Sequence, residues 1–326
     1  MRLPRHIWRN SAYGAALLLL AGTGNRVEGQ LARELGLLPS DTAAAAARTA
    51  LLPTQSAFAL NQLRNPRVLE ARIATRFRIK QLFDERGIRY PAAEVFIRIF
   101  KRERSLELWV RPDGDASFQL LRSYDICALA GELGPKRRQG DSQVPEGFYA
   151  IDFFNPESDY HLSLHLDYPN VRDRIGGQGG ISLGGEIYIH GGCSSDGCLA
   201  VTDEGIKELY WIAVEARAVG QERIPVHIFP ARLEADDLQR LQRAFADEPD
   251  LGAFWATLKP GYDFFEQNHR MPAVKVDGIG NYVVTGPAEN ASEPVTALSD
   301  PSAPLGRPAS ATAPKRRAPL GTRIGG

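Results

Sequence analysis

The chain has 326 residues, 39 basic and 39 acidic, and 43% of it is apolar. That length accommodates one large domain with extensions or two small ones, and the zero net charge gives no electrostatic footprint for nucleic acid. Three cysteines, at 127, 193 and 198, are too few for a disulfide scaffold.

In chain order, residues 1–28 begin with Arg2, Arg5 and Arg9, continue through an apolar run from Ala12 to Ala21, and end in small residues. That three-part shape predicts a signal peptide or an uncleaved N-terminal anchor, and hence an exported protein with a membrane tether in the second case. The run falls short of the roughly 20 residues that a comfortable span needs. Residues 29–93 read as a linker followed by a helical region. Within it, Leu60, Leu63, Leu69, Ile73, Phe77, Ile79 and Phe83 recur at helical spacing, interrupted by Pro66, and arginines occupy much of the opposite face. Such a helix packs on its own domain more often than on a membrane surface.

From Glu94 the apolar period changes to two. Strands are predicted over Val95–Phe100, Leu106–Val110, Phe118–Tyr124, Phe148–Phe153, His161–Leu166, Glu186–Ile189 and Ile224–Phe229. Thr202 is a candidate N-cap for a helix running to Gly220, and Leu233–Ala246 reads as an amphipathic helix. The aromatic residues between 254 and 265 suit a hydrophobic cap better than a glycan-binding groove, and Val274–Val284 reads as a last hairpin. Residues 94–285 thus form the main domain with a helical, aromatic C-terminal extension. Residues 286–326, rich in Pro and Ala, have too few large apolar side chains to offset ordering entropy and are expected to be disordered.

Chemistry concentrates in His190-Gly191-Gly192-Cys193-Ser194-Ser195-Asp196-Gly197-Cys198, entered from the apolar run Ile187-Tyr188-Ile189. A cysteine after a glycine, in a polar turn shared with a histidine, fits a nucleophile better than a structural thiol. An imidazole can take the thiol proton and hold the pair as an ion pair. The glycines let main-chain N–H groups crowd an oxyanion. Cys193 is open to pairing with Cys198, which would abolish catalysis, or with Cys127. Zinc ligation by His190, Cys193, Cys198 and His227 is disfavoured because the spacing lacks a Cys-x-x-Cys pair. His227, in an apolar strand, reads as a core histidine.

The order His-Gly, then Ser-x-Gly-Cys, then a helix resembles the active-site signature of the YkuD-type L,D-transpeptidases, which remodel peptidoglycan. Leu133-Gly134-Pro135-Lys136, Gly140-Asp141, Val144–Tyr149, Leu164–Asn170 and Asp203-Glu204 resemble its YafK-like branch. The resemblance implies a β-rich α+β fold, a sandwich or barrel with peripheral helices and, here, an N-terminal helical extension. It implies Cys198 as nucleophile, His190 as general base oriented by the Gly191 carbonyl, and Gly197 and Cys198 as oxyanion donors. Ser195, Asp196 and Arg174 become candidate substrate contacts, although Ser195 also suits an ordinary turn. Asp196 stands where many members carry histidine, and Ala200 where many carry arginine. The implied substrates are stem peptides of peptidoglycan, with an amine on another stem or on a wall-attached protein as acceptor, and no metal or organic cofactor. A hydrolase using the same thioester and a non-catalytic wall-binding module are the competing readings.

Overall fold

The computed structural model describes residues 56–298 apart from 114–115, 178–179 and 235. The signal or anchor, the linker to residue 55 and the tail beyond 298 lie outside the described residues. Over the described residues the chain is a strand-rich α+β domain built on one curled nine-stranded sheet, flanked by helices and a separate three-stranded sheet.

The elements follow local chemistry. Helix α1 (Ala57–Gln62) leads into α2 (Pro66–Glu85), where Pro66 opens the helix at a position that needs no N–H donor. Asn65 caps α2 by accepting the Arg67 N–H at 3.0 Å. Three strands follow as a meander: β1 (Glu94–Phe100), β2 (Ser105–Arg111) and β3 (Gln119–Asp125). A short β4 (Ala128–Leu129) precedes a long loop, then come β5 (Gly147–Asn155), β6 (Ser163–Leu166) and a one-turn α3 (Val171–Gly176). Next are β7 (Tyr188–His190), β8 (Leu199–Ala200), α4 (Asp203–Ala218) and β9 (Ile224–Phe229). The chain closes with α5 (Asp237–Ala244), α6 (Pro249–Asn268), β10 (Pro272–Val276), β11 (Tyr282–Pro287) and β12 (Thr296–Ala297).

Across the large sheet the order is β3-β2-β1-β9-β5-β6-β7-β8-β4. The central strands β1 and β9 are almost wholly buried on both faces and pair in parallel. One apolar layer lies beneath α1, α2 and α4, and another beneath α6 and the β10–β11 hairpin. Phe254, Trp255 and Tyr262 lie in this second layer and Phe265 in an adjoining cluster with Phe96 and Phe118, so the aromatic run of α6 is a cap, with Phe264 half-buried beside it.

Two sequence expectations need correction. On α2 the buried face is Val68, Ala71, Thr75, Ile79 and Phe83, whereas Leu69, Ile73 and Phe77 are 41, 59 and 73% exposed. The small side chains of Ala71 and Thr75 let α2 lie against α4, so the close-packed face is the one with less apolar bulk. The ordered chain also runs beyond residue 286, where composition places the start of the tail. Ala291 is buried, the Ser292 hydroxyl donates to the Arg223 carbonyl at 2.9 Å, and β12 pairs in parallel with β10. A partner strand supplies backbone hydrogen bonds that composition cannot reveal.

A buried ion pair fixes the loop before β5. Lys101, just past β1, sits 3.0 Å from Glu146 and donates to the Gly134 and Val144 carbonyls at 3.1 and 3.0 Å. Glu146 in turn accepts from the Gly134 N–H at 2.6 Å and the Trp255 indole at 2.7 Å. Each charge therefore has the hydrogen bonds that make burial tolerable. Glu146→Ala would strand the Lys101 ammonium, and urea unfolding is expected to show a loss of about 3–5 kcal/mol.

Candidate active site

His190 ends β7, and its neighbour in parallel β8 is Ala200, two residues after Cys198. The imidazole is buried at 2% exposure. Its Nδ1 lies 2.6 Å from the Gly191 carbonyl oxygen. A carbonyl can only accept, so Nδ1 carries the proton and Nε2 is the basic nitrogen. The ring of Tyr160 lies over the imidazole with centroids 4.6 Å apart and planes tilted by 31°.

Gly191 admits no side chain: a Cβ there would stand 2.5 Å from Asp203 Oδ1 and 3.0 Å from both Ile206 Cγ2 and the Tyr160 carbonyl. Helix α4 explains this crowding. Thr202 caps it by accepting the Gly205 N–H at 3.1 Å, and Asp203 in its first turn accepts the Gly192 N–H at 2.8 Å. The Val201 N–H donates to the His190 carbonyl at 2.9 Å, tying the start of the same helix to the end of β7.

Cys198 is the free cysteine among the described residues, because Cys127 and Cys193 form a disulfide. The bridge joins the turn after His190 to the segment before β4, which itself pairs with β8 at Ala128 and Ala200. Of the two pairings open to Cys193, the one taken leaves Cys198 as a thiol and removes Cys193 from any ligand set. His227 stands in β9, buried among the rings of Phe96, Phe148 and Phe229.

The thiol points its hydrogen bond at the Glu186 carbonyl, 3.6 Å away, and not at His190. Burial pushes the Cys198 thiol up, with Asp196 and Glu186 adding to the rise while the Tyr188 N–H and Lys136 oppose it. Burial likewise pushes the His190 imidazole below its ordinary range, against the pull of the Gly191 carbonyl. The two shifts oppose ionisation in the same sense. Thiol and neutral imidazole are therefore the favoured resting forms, where the sequence suggests a standing ion pair.

The other candidate residues divide. Ser195 Oγ donates to the Cys198 carbonyl at 2.7 Å, pinning the turn. Asp196 is exposed and accepts the Ser142 hydroxyl, so it couples the turn to the loop held by Lys101 and Glu146. Lys136, paired with Asp141, braces that loop from within. Gly197 has φ +103, and a Cβ there would meet nothing nearer than 3.5 Å, so its constraint is conformational and not steric. Arg174 is not brought to the turn: exposed on α3, it folds back onto the Pro169 carbonyl. Tyr160 and Ser142 carry no sequence signal, since each lies in an irregular segment and acts through distant partners, while Glu186, predicted to open the strand, lies just before it and acts through its carbonyl. Asp203 was legible only as part of the Asp203-Glu204 pair after Thr202.

A strand-rich α+β domain bringing a lone thiol and a tautomer-fixed imidazole to neighbouring strands has the organisation of an L,D-transpeptidase domain. The family profile for the YkuD L,D-transpeptidase catalytic domain matches residues 95–228. YafK of Escherichia coli (strain K12) is 42% identical over 195 residues, which cover 59% of this chain and 74% of that protein; YafK of Escherichia coli O157:H7 matches to the same extent. The chain belongs to the YkuD L,D-transpeptidase family. Among solved structures, the helical cell shape determining protein Pgp2 from Campylobacter jejuni aligns at 22% identity and TM-score 0.34, over 42% of this chain and 48% of that one. Bd1075 from Bdellovibrio bacteriovorus aligns at 22% identity and TM-score 0.30, over 48% and 57%. This chain thus spans about half the length of each of those two chains.

Two outcomes follow from the site. Thiol labelling of the unreduced, unfolded protein is expected to find one reactive cysteine, located by tandem mass spectrometry at Cys198; a label at Cys127 would mean a different pairing. Because the Cys198 pKa is raised, alkylation by a small neutral reagent such as iodoacetamide should be slow at pH 7 and still be rising beyond the pH at which a free cysteine levels off. A rate already flat at neutral pH would contradict the raised pKa.

Proposed function

We propose that this chain is an exported cysteine L,D-transpeptidase acting on peptidoglycan stem peptides. The observation that carries the reading is the Nδ1–Gly191 contact, which leaves His190 Nε2 as base one strand away from the free Cys198 thiol. As Cys198 Sγ attacks the carbonyl at the L-centre of diaminopimelate, its proton passes to Nε2. The C–O π electrons move onto oxygen, and the Gly197 and Cys198 N–H groups receive that charge. Losing one such donor typically costs about 2.7–4 kcal/mol of barrier. Collapse breaks the bond to the departing D-residue, whose nitrogen takes the proton from His190, and leaves a thioester. An acceptor amine then attacks, gives its proton to His190, and expels the Cys198 thiolate, which is reprotonated.

The neutral resting pair suits this sequence. Proton transfer from thiol to imidazole is uphill alone and becomes favourable only as the S–C bond forms, so the nucleophile is released by a positioned substrate. Ser195 serves by holding the Cys198 carbonyl, and Asp196 by joining the turn to Ser142. Export is supported by the Cys127–Cys193 disulfide, a bond that persists in oxidising compartments. The tether and the wall-attached acceptor remain proposals from the sequence.

Exposure to a carbapenem, which acylates cysteines of this family, is expected to add one adduct to the native chain and none to Cys198→Ala by intact mass. An unmodified native chain would overturn the assignment. Incubation with a tetrapeptide stem, with and without an amine acceptor, is expected to give a new amide only when acceptor is present. Free tripeptide as sole product in both arms would make the enzyme a hydrolase.

A further inference from the structure

The histidine of the site is covered by a loop that the N-terminal helix holds in place. Arg67, in the first turn of α2, donates through Nη1 to the Ser158 carbonyl at 2.5 Å and to the His161 carbonyl at 3.0 Å. The two carbonyls bracket Tyr160. His161 adopts φ +74, a left-handed conformation that a side chain of its size holds only when its surroundings require it. Ser158 is buried, and its hydroxyl accepts the Tyr160 N–H at 3.1 Å. One guanidinium and one hydroxyl thus fix the main chain on both sides of a single tyrosine.

Tyr160 reaches the site in two ways. Its carbonyl accepts the Gly191 N–H at 3.1 Å, on the residue whose own carbonyl sets the His190 tautomer. Its ring lies over the imidazole, and Cδ1 would be 3.1 Å from a Cβ at Gly192. Tyr160 as a residue is 46% exposed, so it covers His190 with one ring face while also meeting solvent. Asp203, a carboxylate bonded to this turn, is engaged by the Gly192 N–H. The tyrosine ring is thus an aromatic wall on one face of an imidazole that the Gly191 carbonyl holds at Nδ1.

We propose that α2 sets the working orientation of His190 through Arg67 and the Ser158–His161 loop, with Tyr160 as the positioning residue. The N-terminal helical region is thereby part of the catalytic apparatus without touching substrate. The consequence for catalysis rests on the transpeptidase reading above. The geometric relay itself does not.

The test uses the full chain and four variants: Tyr160→Ala, Tyr160→Phe, Arg67→Ala and Arg67→Lys. Time courses of carbapenem acylation at pH 8, followed by intact mass, are expected to slow about tenfold in Tyr160→Ala and Arg67→Ala. Tyr160→Phe should stay within about twofold of native, because the ring and main chain are retained, and Arg67→Lys should recover part of the rate. In parallel, NMR titration of the His190 ring should shift upward toward an ordinary histidine in Tyr160→Ala, since removing the ring readmits water to an imidazole whose pKa burial depresses. Native acylation rates together with an unmoved His190 titration in Tyr160→Ala would overturn the proposal. So would a slow Tyr160→Phe with native His190 titration, which would assign the role to the hydroxyl. A native chain inert to the carbapenem would strike the transpeptidase reading instead, leaving the relay to be decided by the titration alone.

Discussion

The parallel pairing of β7 with β8 is short, and the geometry of the site depends on it. With Ile189 opposite Leu199 and His190 opposite Ala200, Cys198 lies alongside Tyr188 at the edge from which the imidazole projects. A slip of one residue would turn every side chain of β8 to the opposite face. Two- and three-residue strands cannot resist such a slip by their ladder alone. Covalent and capping ties supply what the ladder lacks: the Cys127–Cys193 bridge, the Asp203 carboxylate on Gly192, and the Val201 N–H on the His190 carbonyl. Ser195 closes the turn from inside by bonding the Cys198 carbonyl.

The same enclosure that fixes the pair also sets its charge. Burial raises the thiol and lowers the imidazole, so the site holds its reactive groups in their uncharged forms. The thiol hydrogen finds the Glu186 carbonyl, and the imidazole's spare proton finds the Gly191 carbonyl, so neither group needs the other at rest.

Support comes from parts of the chain far away in sequence. The Lys101–Glu146–Trp255 network ties the end of β1, the loop before β5 and helix α6 together, and through Ser142 that loop reaches Asp196. On the other side, α2 lies on α4 through its small residues and extends Arg67 to the loop above His190. Both sides of the turn are therefore held by polar side chains, Arg67 and Ser142, carried on segments that themselves pack against the core.

Local periodicity carried much of the fold. The apolar runs that became β1, β2 and β9 are read from the residues themselves, as are the Pro66 break, the Thr202 cap of α4 and the hairpin of β10 and β11. The thiol–imidazole turn was legible because a strand, glycines and two reactive groups fall within a dozen residues. Long-range facts were not. Nothing in the spacing chooses Cys127 over Cys198 as partner for Cys193, because a bridge depends on where two backbones meet. Likewise the buried face of α2 follows from the fit of Ala71 and Thr75 against α4, and the order of residues 287–298 follows from a free edge on β10. By itself the sequence determined the elements and the residues able to do chemistry, since both depend on neighbours along the chain. Register, disulfide partner, resting charge and the cover over His190 were decided by the tertiary structure, because each arises from contacts between segments tens of residues apart.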